Sequence, residues 1–317
     1  MPLTSLKIGS RGSPLALAQA VEVRARLMNF WDLPEEAFEI VVIQTAGDRI
    51  QDRPLRLVGG KGLFVREIED RLLDGSIDIA VHSMKDMPTV QPDGLLIDTY
   101  LLREDVRDAF ISNTAKTITD LPTGCRVGTS SLRRRAQLLH IRPDLEVVEF
   151  RGNVQTRLKK LTDGVADCTF LAMAGLNRLD MSNIATMAIE PSLMLPAVAQ
   201  GAIGIERRES DKVAATFLEP IHHIETGQRL VAERAFLKEL DGSCETPIAG
   251  LAVLNGTELF LRGEVLRPDG TEKLAGEHII NYMRWVCHWR GLGNHMDPGE
   301  ELPETKHKLD LLNYDFL

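Results

Sequence analysis

Three times in this chain a short apolar run gives way to a turn of Arg with Ser, Thr, Gly or Asn, and then to helical periodicity. The turns are Ser10-Arg11-Gly12-Ser13, Gly128-Thr129-Ser130-Ser131 followed by Arg133-Arg134-Arg135, and Arg151-Gly152-Asn153 with Arg157. Strand, turn and helix in repetition predict an α/β protein built on a parallel sheet. The same grammar constrains the chemistry. Free N–H groups and the helix dipole make each helix start a seat for an anion, and arginine adds a fork that matches carboxylate or phosphate. One such turn is ordinary capping; three point to a ligand with many anionic groups. Arg133 and Arg134 cannot share a helix face, which leaves one of them free to be simply solvated.

The elements follow from local pattern. Leu6-Lys7-Ile8 reads as a strand and Leu15 to Met28 as a helix, with Ser13 as N-cap and Pro14 at the first position. Phe38 to Gln44 is a second strand. Thr45 to Gly62 holds neither element; it is either a lid or a flexible surface loop, and Gly59-Gly60-Lys61-Gly62 lacks P-loop spacing. Phe64, Ile68 and Leu72 mark a helix, and Ile77 to Val81 and Leu95 to Leu102 further strands. The charged run Arg103 to Asp108 reads as a hinge into a second domain, where the pattern restarts. Pro196 to Ile205 reads as the chain crossing back between domains. A third region starts near Pro220, with a helix from Ile224 to Leu240 and an antiparallel meander whose hairpin turns at Asn255-Gly256.

Charge narrows the partners. The net charge is −9 over 317 residues, which argues against nucleic acid and membrane surfaces. Met1 to Ser10 has no apolar signal core and no stretch approaches a membrane span, so a cytoplasmic protein is expected. Cys125, Cys168, Cys244 and Cys287 form no C-x-x-C pair and the histidines no H-E-x-x-H, so no metal site is expected.

At Asp78-Ile-Ala-Val-His-Ser-Met-Lys-Asp-Met-Pro88 a buried strand end breaks into His82, Ser83, Lys85 and Asp86. Such clusters sit in the crevice where α/β sheets bind ligands. Alone, the segment is better read as a solvated turn with a local Lys85–Asp86 pair.

Several long segments resemble the porphobilinogen deaminase family. They are Ser10 to Leu17, Gly59 to Phe64, Ala80 to Asp86, Gly128 to Arg134, Arg151 to Arg157, Leu195 to Gly201 and Gly242-Ser243-Cys244, in the family's order. The resemblance implies two periplasmic-binding-protein-like α/β domains plus a small α+β C-terminal domain. The first would span 1–104 and 198–219, the second 105–197, the third 220–317. It implies an enzyme that condenses four porphobilinogens head to tail, releasing ammonia each time, into linear hydroxymethylbilane. The primer would be a dipyrromethane cofactor held covalently through Cys244. Lys85, Thr129, Ser131, Arg133, Arg134, Arg151, Gly152 and Gln200 would bind the cofactor. Arg11, Ser13, Lys61, His82, Ser83, Arg157 and Arg178 would bind substrate. Asp86 would be catalytic, facing pyrrole nitrogens and the cationic azafulvene left by loss of ammonia. The protein would be a monomer, its partner the small molecule porphobilinogen.

Each pyrrole brings two carboxylates, so an acidic protein needs a cleft lined with arginine. A two-lobed, cytoplasmic anion-binding protein without catalysis would also use the arginine turns, but it needs neither Cys244 nor Asp86. His82 is either a ligand contact or a structural hydrogen bond. Two departures from the family stand out. Leu57 replaces a lid lysine, and after about Glu277 the sequence His278 to Arg290 replaces a long Ala- and Leu-rich helix.

Overall fold

The computed structural model describes residues 6–49, 65–240, 242 and 246–281. In chain order the elements are β1 (Leu6–Arg11), α1 (Pro14–Trp31), β2 (Phe38–Ile43), α2 (Ala46–Arg49), α3 (Arg66–Leu73), β3 (Ile79–Ser83) and β4 (Leu95–Tyr100). Then come β5 (Asp108–Ser112), β6 (Arg126–Gly128), α4 (Leu132–Ile141), β7 (Glu146–Val148), α5 (Val154–Thr162), β8 (Cys168–Ala172), α6 (Met173–Arg178) and β9 (Met187–Ile189). The chain closes with β10 (Ile203–Arg208), α7 (Lys212–Leu218), α8 (Ile224–Glu239), β11 (Ile248–Asn255), β12 (Glu258–Leu266) and β13 (Lys273–Asn281).

Two five-stranded sheets, β2-β1-β3-β10-β4 and β7-β6-β8-β5-β9, carry helices, and a three-stranded sheet β11-β12-β13 stands apart. The fold is therefore mixed α/β with a small third sheet. The expected parallel pairing is present, β1 with β2 and β3 and β6 with β7 and β8, but both sheets are mixed. β10 runs antiparallel to β3 and β4, and β5 antiparallel to β8 and β9. The physical reason is the route of the chain. Each sheet takes one strand that arrives from the other sheet, and local periodicity carries no information about strand direction.

Caps set the helix starts. Ser13 accepts from the Ala16 amide at 3.3 Å and Asn153 from the Thr156 amide at 2.9 Å. On α1, Ala20, Val23 and Leu27 form the buried stripe that meets Leu6, Ile8, Phe38 and Ile79. Each large apolar side chain buried this way stabilises by roughly 1.5–3 kcal/mol. The hairpin at Asn255-Gly256 forms as expected, with Asn255 opposite Glu258. Residues 278–281, where the sequence departs from the family pattern, continue β13.

The charged run Arg103 to Asp108 is not a solvated linker. Arg103 grips Glu233 of α8 through both terminal nitrogens at 2.6 and 3.0 Å, and the pair is buried. Glu233 also accepts from the amides of Ala199 and Ala252. One carboxylate thus ties the crossing segment, α8 and the third sheet together.

Candidate functional site

The Asp86 turn begins where β3 ends. Met84 to Asp86 form a single 3-10 turn. Met84 and Met87 are both buried and anchor it, and the Met84 amide donates to Ala202 O at 3.0 Å. Between these anchors Lys85 is half-buried and Asp86 is exposed. Neither side chain has a hydrogen bond or ion pair to another described residue. Asp86 lines one cleft with Arg11, Ser13, Ser83, His82 and Gln19. Burial pushes the Lys85 ammonium down, opposed by Asp86.

Gln19 was not foreseen. Its amide exchanges hydrogen bonds with Ser83 Oγ at 2.8 and 3.1 Å. The signal was present, since Gln19 is a polar residue on the otherwise apolar stripe of α1. His82 resolves toward the structural hydrogen bond. Its Nε2 lies 2.9 Å from Glu206 Oε2, and both side chains are buried.

The second sheet presents its cations differently. The expectation that one of Arg133 and Arg134 is solvated is overturned, because both are buried and converge on Asp108. Arg133 reaches Asp108 Oδ2 and Leu195 O; Arg134 reaches Asp108 Oδ1 and Phe170 O. The physical reason is Asp108 itself, a fully buried carboxylate at the start of β5 that two guanidiniums neutralise from one helix. Arg135 is the exposed member of the run. Gln200 donates to Asp108 Oδ1 at 3.0 Å and to Val106 O at 2.8 Å. Thr129 accepts from the Ser131 amide, and Ser131 caps α4.

At the start of α5, Arg157 Nε donates to Gly152 O at 2.9 Å. Burial lowers Arg157 to about 10; Arg134 and Arg151 push the same way, while Asp86 and Glu149 oppose them. Arg178 is tied to Glu22 Oε2 and Gly201 O, a link between α6 and α1 rather than an open fork. Lys61, Leu57 and Cys244 lie outside the described residues.

Lys85, Arg133, Arg134, Arg151 and Arg157 thus sense one another's field together with Asp86, Asp108 and Glu149. Lys85 and Arg157 each feel Arg134 and Asp86, a concentration of positive charge in a chain of net charge −9. Buried cations whose charge is disfavoured by burial and by neighbouring cations are relieved by an added anion. The residues present therefore fit a group that carries several carboxylates.

Fold and site define an α/β protein with two five-stranded sheets, a small third sheet and a cation-rich cleft suited to a polycarboxylate. A family model described as "Porphobilinogen deaminase, dipyromethane cofactor binding domain" matches residues 6–216, and "Porphobilinogen deaminase, C-terminal domain" matches 228–283. The chain is 64% identical over 278 residues to the porphobilinogen deaminase of Paracoccus denitrificans, covering 88% of this chain and 89% of that one. It is 55% identical over 265 residues to that of Nitrobacter winogradskyi, covering 84% of each. The chain belongs to the porphobilinogen deaminase family. Similar solved structures include a periplasmic substrate-binding protein of an ABC transporter from Coxiella burnetii, at 15% identity and TM-score 0.42, covering 75% of this chain and 97% of that one. The methionine-binding protein MetQ matches at 14% and 0.43, covering 75% and 96%.

Proposed function

We propose that this chain is the transferase that joins four porphobilinogens head to tail, with release of ammonia, into linear hydroxymethylbilane for tetrapyrrole (haem) biosynthesis. The observation that carries the reading is the exposed carboxylate of Asp86 in one cleft with Arg11, Ser13 and Ser83, its charge felt by Lys85 and Arg157. The second reading, an anion-binding protein without catalysis, would leave Asp86 a liability, since an exposed carboxylate at the mouth repels its ligand.

The residues take the following roles. Arg11 and Ser13 bind substrate carboxylate at the start of α1, with Ser83, which Gln19 fixes in place. Arg157, Arg151 and Lys85 offer cationic charge to acetate and propionate groups. Thr129, Ser131, Gly152, Arg133, Arg134 and Gln200 hold the cofactor side of the cleft, Arg133 and Arg134 through N–H groups beyond those given to Asp108. Arg178 and Lys61 complete the substrate set, while His82 serves the strand through its hydrogen bond to Glu206. The dipyrromethane, when bound through Cys244, supplies the pyrrole α-carbon to which the first substrate is joined.

Asp86 acts on the incoming substrate. As ammonia leaves, positive charge spreads over the pyrrole, and a fixed carboxylate in a partly dehydrated cleft stabilises it. It also accepts the pyrrole N–H. The domain division 1–104 with 198–219, 105–197 and 220–317, a monomeric state and a cytoplasmic location belong to the same proposal. Among the described residues no helix is long and apolar enough to cross a membrane.

Intact-protein mass tests the reading. The purified chain should carry an adduct of dipyrromethane mass that is absent in Cys244→Ser. An unmodified chain that forms no hydroxymethylbilane would overturn it.

A further inference from the structure

The turn between β12 and β13 lies against the second lobe, and its seat admits only glycine. Gly270 is buried at the tip of that turn, with φ +78°. It rests on the backbone of α4. A Cβ added there would lie 2.6 Å from His140 N and 2.8 Å from both Ala136 O and Leu139 C. Helix backbone has no rotamer with which to give way, so glycine is required for conformation and for room. The Gly270 carbonyl faces His140, whose Nδ1 lies 2.9 Å away. A carbonyl can only accept, so Nδ1 carries the proton and donates.

The turn is stiff in itself. Gly270 N donates to Arg267 O at 2.9 Å, and Arg267 N to Glu272 O at 3.0 Å. The Arg267 guanidinium closes on Glu272, and Asp269 accepts from the Thr271 amide and hydroxyl. At the base of the turn Leu266 N donates to the carbonyl of Pro247, three residues after Cys244 in the sequence. The sheet behind it is fixed to α8, because Phe236 packs where side chains on Gly250 and Gly263 would stand. From α8, Arg234 donates to Pro88 O at 2.6 Å and to Met87 O at 3.4 Å, the two residues that follow Asp86. The third region therefore grips the chain just after the Lys85–Asp86 turn, and again on α4, whose first turn carries Arg133 and Arg134.

We propose that the β12–β13 turn is a positioning element for the proposed reaction: Gly270, seated on α4 and held by His140, sets the distance across the cleft between the arginine helix and the Asp86 turn that Arg234 holds. The proposal rests on the reading of Asp86 as the carboxylate that faces the substrate. Gly270 acts through the helix, since Ala136 and His140 lie on the turns of α4 that follow Arg133 and Arg134. Joining two pyrroles requires the chain held on the cationic side and the substrate at Asp86 to reach attack geometry together. A misplacement of about 1 Å can cost such a reaction about 100-fold.

The test uses the loaded enzyme. Gly270→Ala pushes the turn off α4, and Gly256→Ala is its control. Gly256, in the β11–β12 hairpin, has φ +61° and nothing within 4 Å of an added Cβ, so alanine there brings backbone strain without the collision. Gly270→Ala should keep its adduct mass and lower kcat about 10- to 100-fold. Its KM for porphobilinogen should stay within about twofold of wild type, because Arg11 and Ser13 are untouched. Gly256→Ala should keep wild-type kcat. His140→Ala leaves the seat but removes the donor, and should lower kcat about two- to tenfold. His140→Asn, whose amide donates in place of Nδ1, should restore it. Amide hydrogen exchange reads the contact without turnover: protection of residues 136–141 should fall in Gly270→Ala and stay in Gly256→Ala. Wild-type kcat in Gly270→Ala, or an equal loss in Gly256→Ala, overturns the positioning role. So does a His140→Asn that behaves as His140→Ala, and these two variants decide if Gly270→Ala does not fold. If wild type carries no adduct and forms no hydroxymethylbilane, the functional reading falls, while exchange on α4 still decides the contact. Unchanged protection in Gly270→Ala overturns the contact even in an active enzyme.

Discussion

The Lys85–Asp86 turn and the Arg133–Arg134 pair both follow the end of a strand, and the fold treats them in opposite ways. Lys85 and Asp86 stand between two buried methionines with no hydrogen bond to another described residue. Arg133 and Arg134 are sunk onto Asp108 and two carbonyls. What separates them is one residue remote in sequence. Asp108 begins the strand that enters the second sheet from the other lobe, and it draws both guanidiniums inward. The first sheet receives Glu206 at the corresponding strand, but Glu206 meets His82 instead and leaves the turn open. A charge cluster stays open or is drawn inward according to whether the fold supplies its counter-ion.

The strongest break of this contrast is Asp108→Asn. It leaves two buried cations facing each other, and removing one partner of a buried pair costs about 3–5 kcal/mol. Thermal unfolding should fall by that amount. Burial alone would raise the Asp108 carboxyl, but Arg133 and Arg134 overrule it and hold it well below the ordinary range. A depressed folded value contributes stability above the unfolded carboxylate value of about 4, and that stability is lost as pH falls further. Wild type should therefore lose stability below pH 4 more steeply than Asp108→Asn. Equal acid slopes would mean Asp108 is not the counter-ion.

Asp86→Asn should do the converse. The carboxylate has no structural partner to lose, so stability should stay within about 0.5 kcal/mol of wild type. Turnover should fall about 100- to 1,000-fold, the size of losing one preorganised electrostatic contact. The adduct should remain in the mass spectrum. Near-normal hydroxymethylbilane formation would remove Asp86 from its role.

Glu69 sharpens the same comparison with an acid held protonated instead of ionised. Burial raises its value to about 7, so the stability it contributes is full below the unfolded value and lost as pH rises through 7. Glu69→Gln cannot ionise. At pH 8 it should be more stable than wild type by up to about 3 kcal/mol, and at pH 5 the two should converge. Melting curves at the two pH values decide the matter.

How much of this was readable differs between the two lobes for a physical reason. Caps, strands and the Asn255-Gly256 hairpin depend on residues a few positions apart, and sequence pattern carries them. The three arginine turns were legible as helix starts in the same way, with Ser13, Ser131 and Asn153 as caps. Strand direction and the fate of each arginine depend on partners far along the chain. Asp108 pairs with residues 25 and 26 positions on, Arg103 with Glu233 at 130, and His82 with Glu206 at 124. The short strands β5 and β9 and the helices α2, α6 and α7 escaped notice, α2 within the stretch read as neither helix nor strand, although Asp211, whose side chain accepts from the Ala214 amide, was a visible cap for α7.

The smallest effect separates the lobes by the stiffness of what each sheet glycine faces. A Cβ added at Gly204 would run into Met84 Sδ, and one at Gly128 would lie 2.6 Å from the Phe150 ring. Overpacking of this kind costs about 1–3 kcal/mol. Methionine is flexible and gives way; a buried phenylalanine ring held in a packed core does not. Gly204→Ala should therefore lie near 1 kcal/mol and Gly128→Ala near 3 kcal/mol. Because Met84 anchors the open turn, Gly204→Ala should also lower turnover more than its stability cost implies, whereas Gly128→Ala should act through stability. Paired melting and kcat measurements on the two variants distinguish these outcomes, and a reversed order of stability would show that Met84, not Phe150, is the rigid contact.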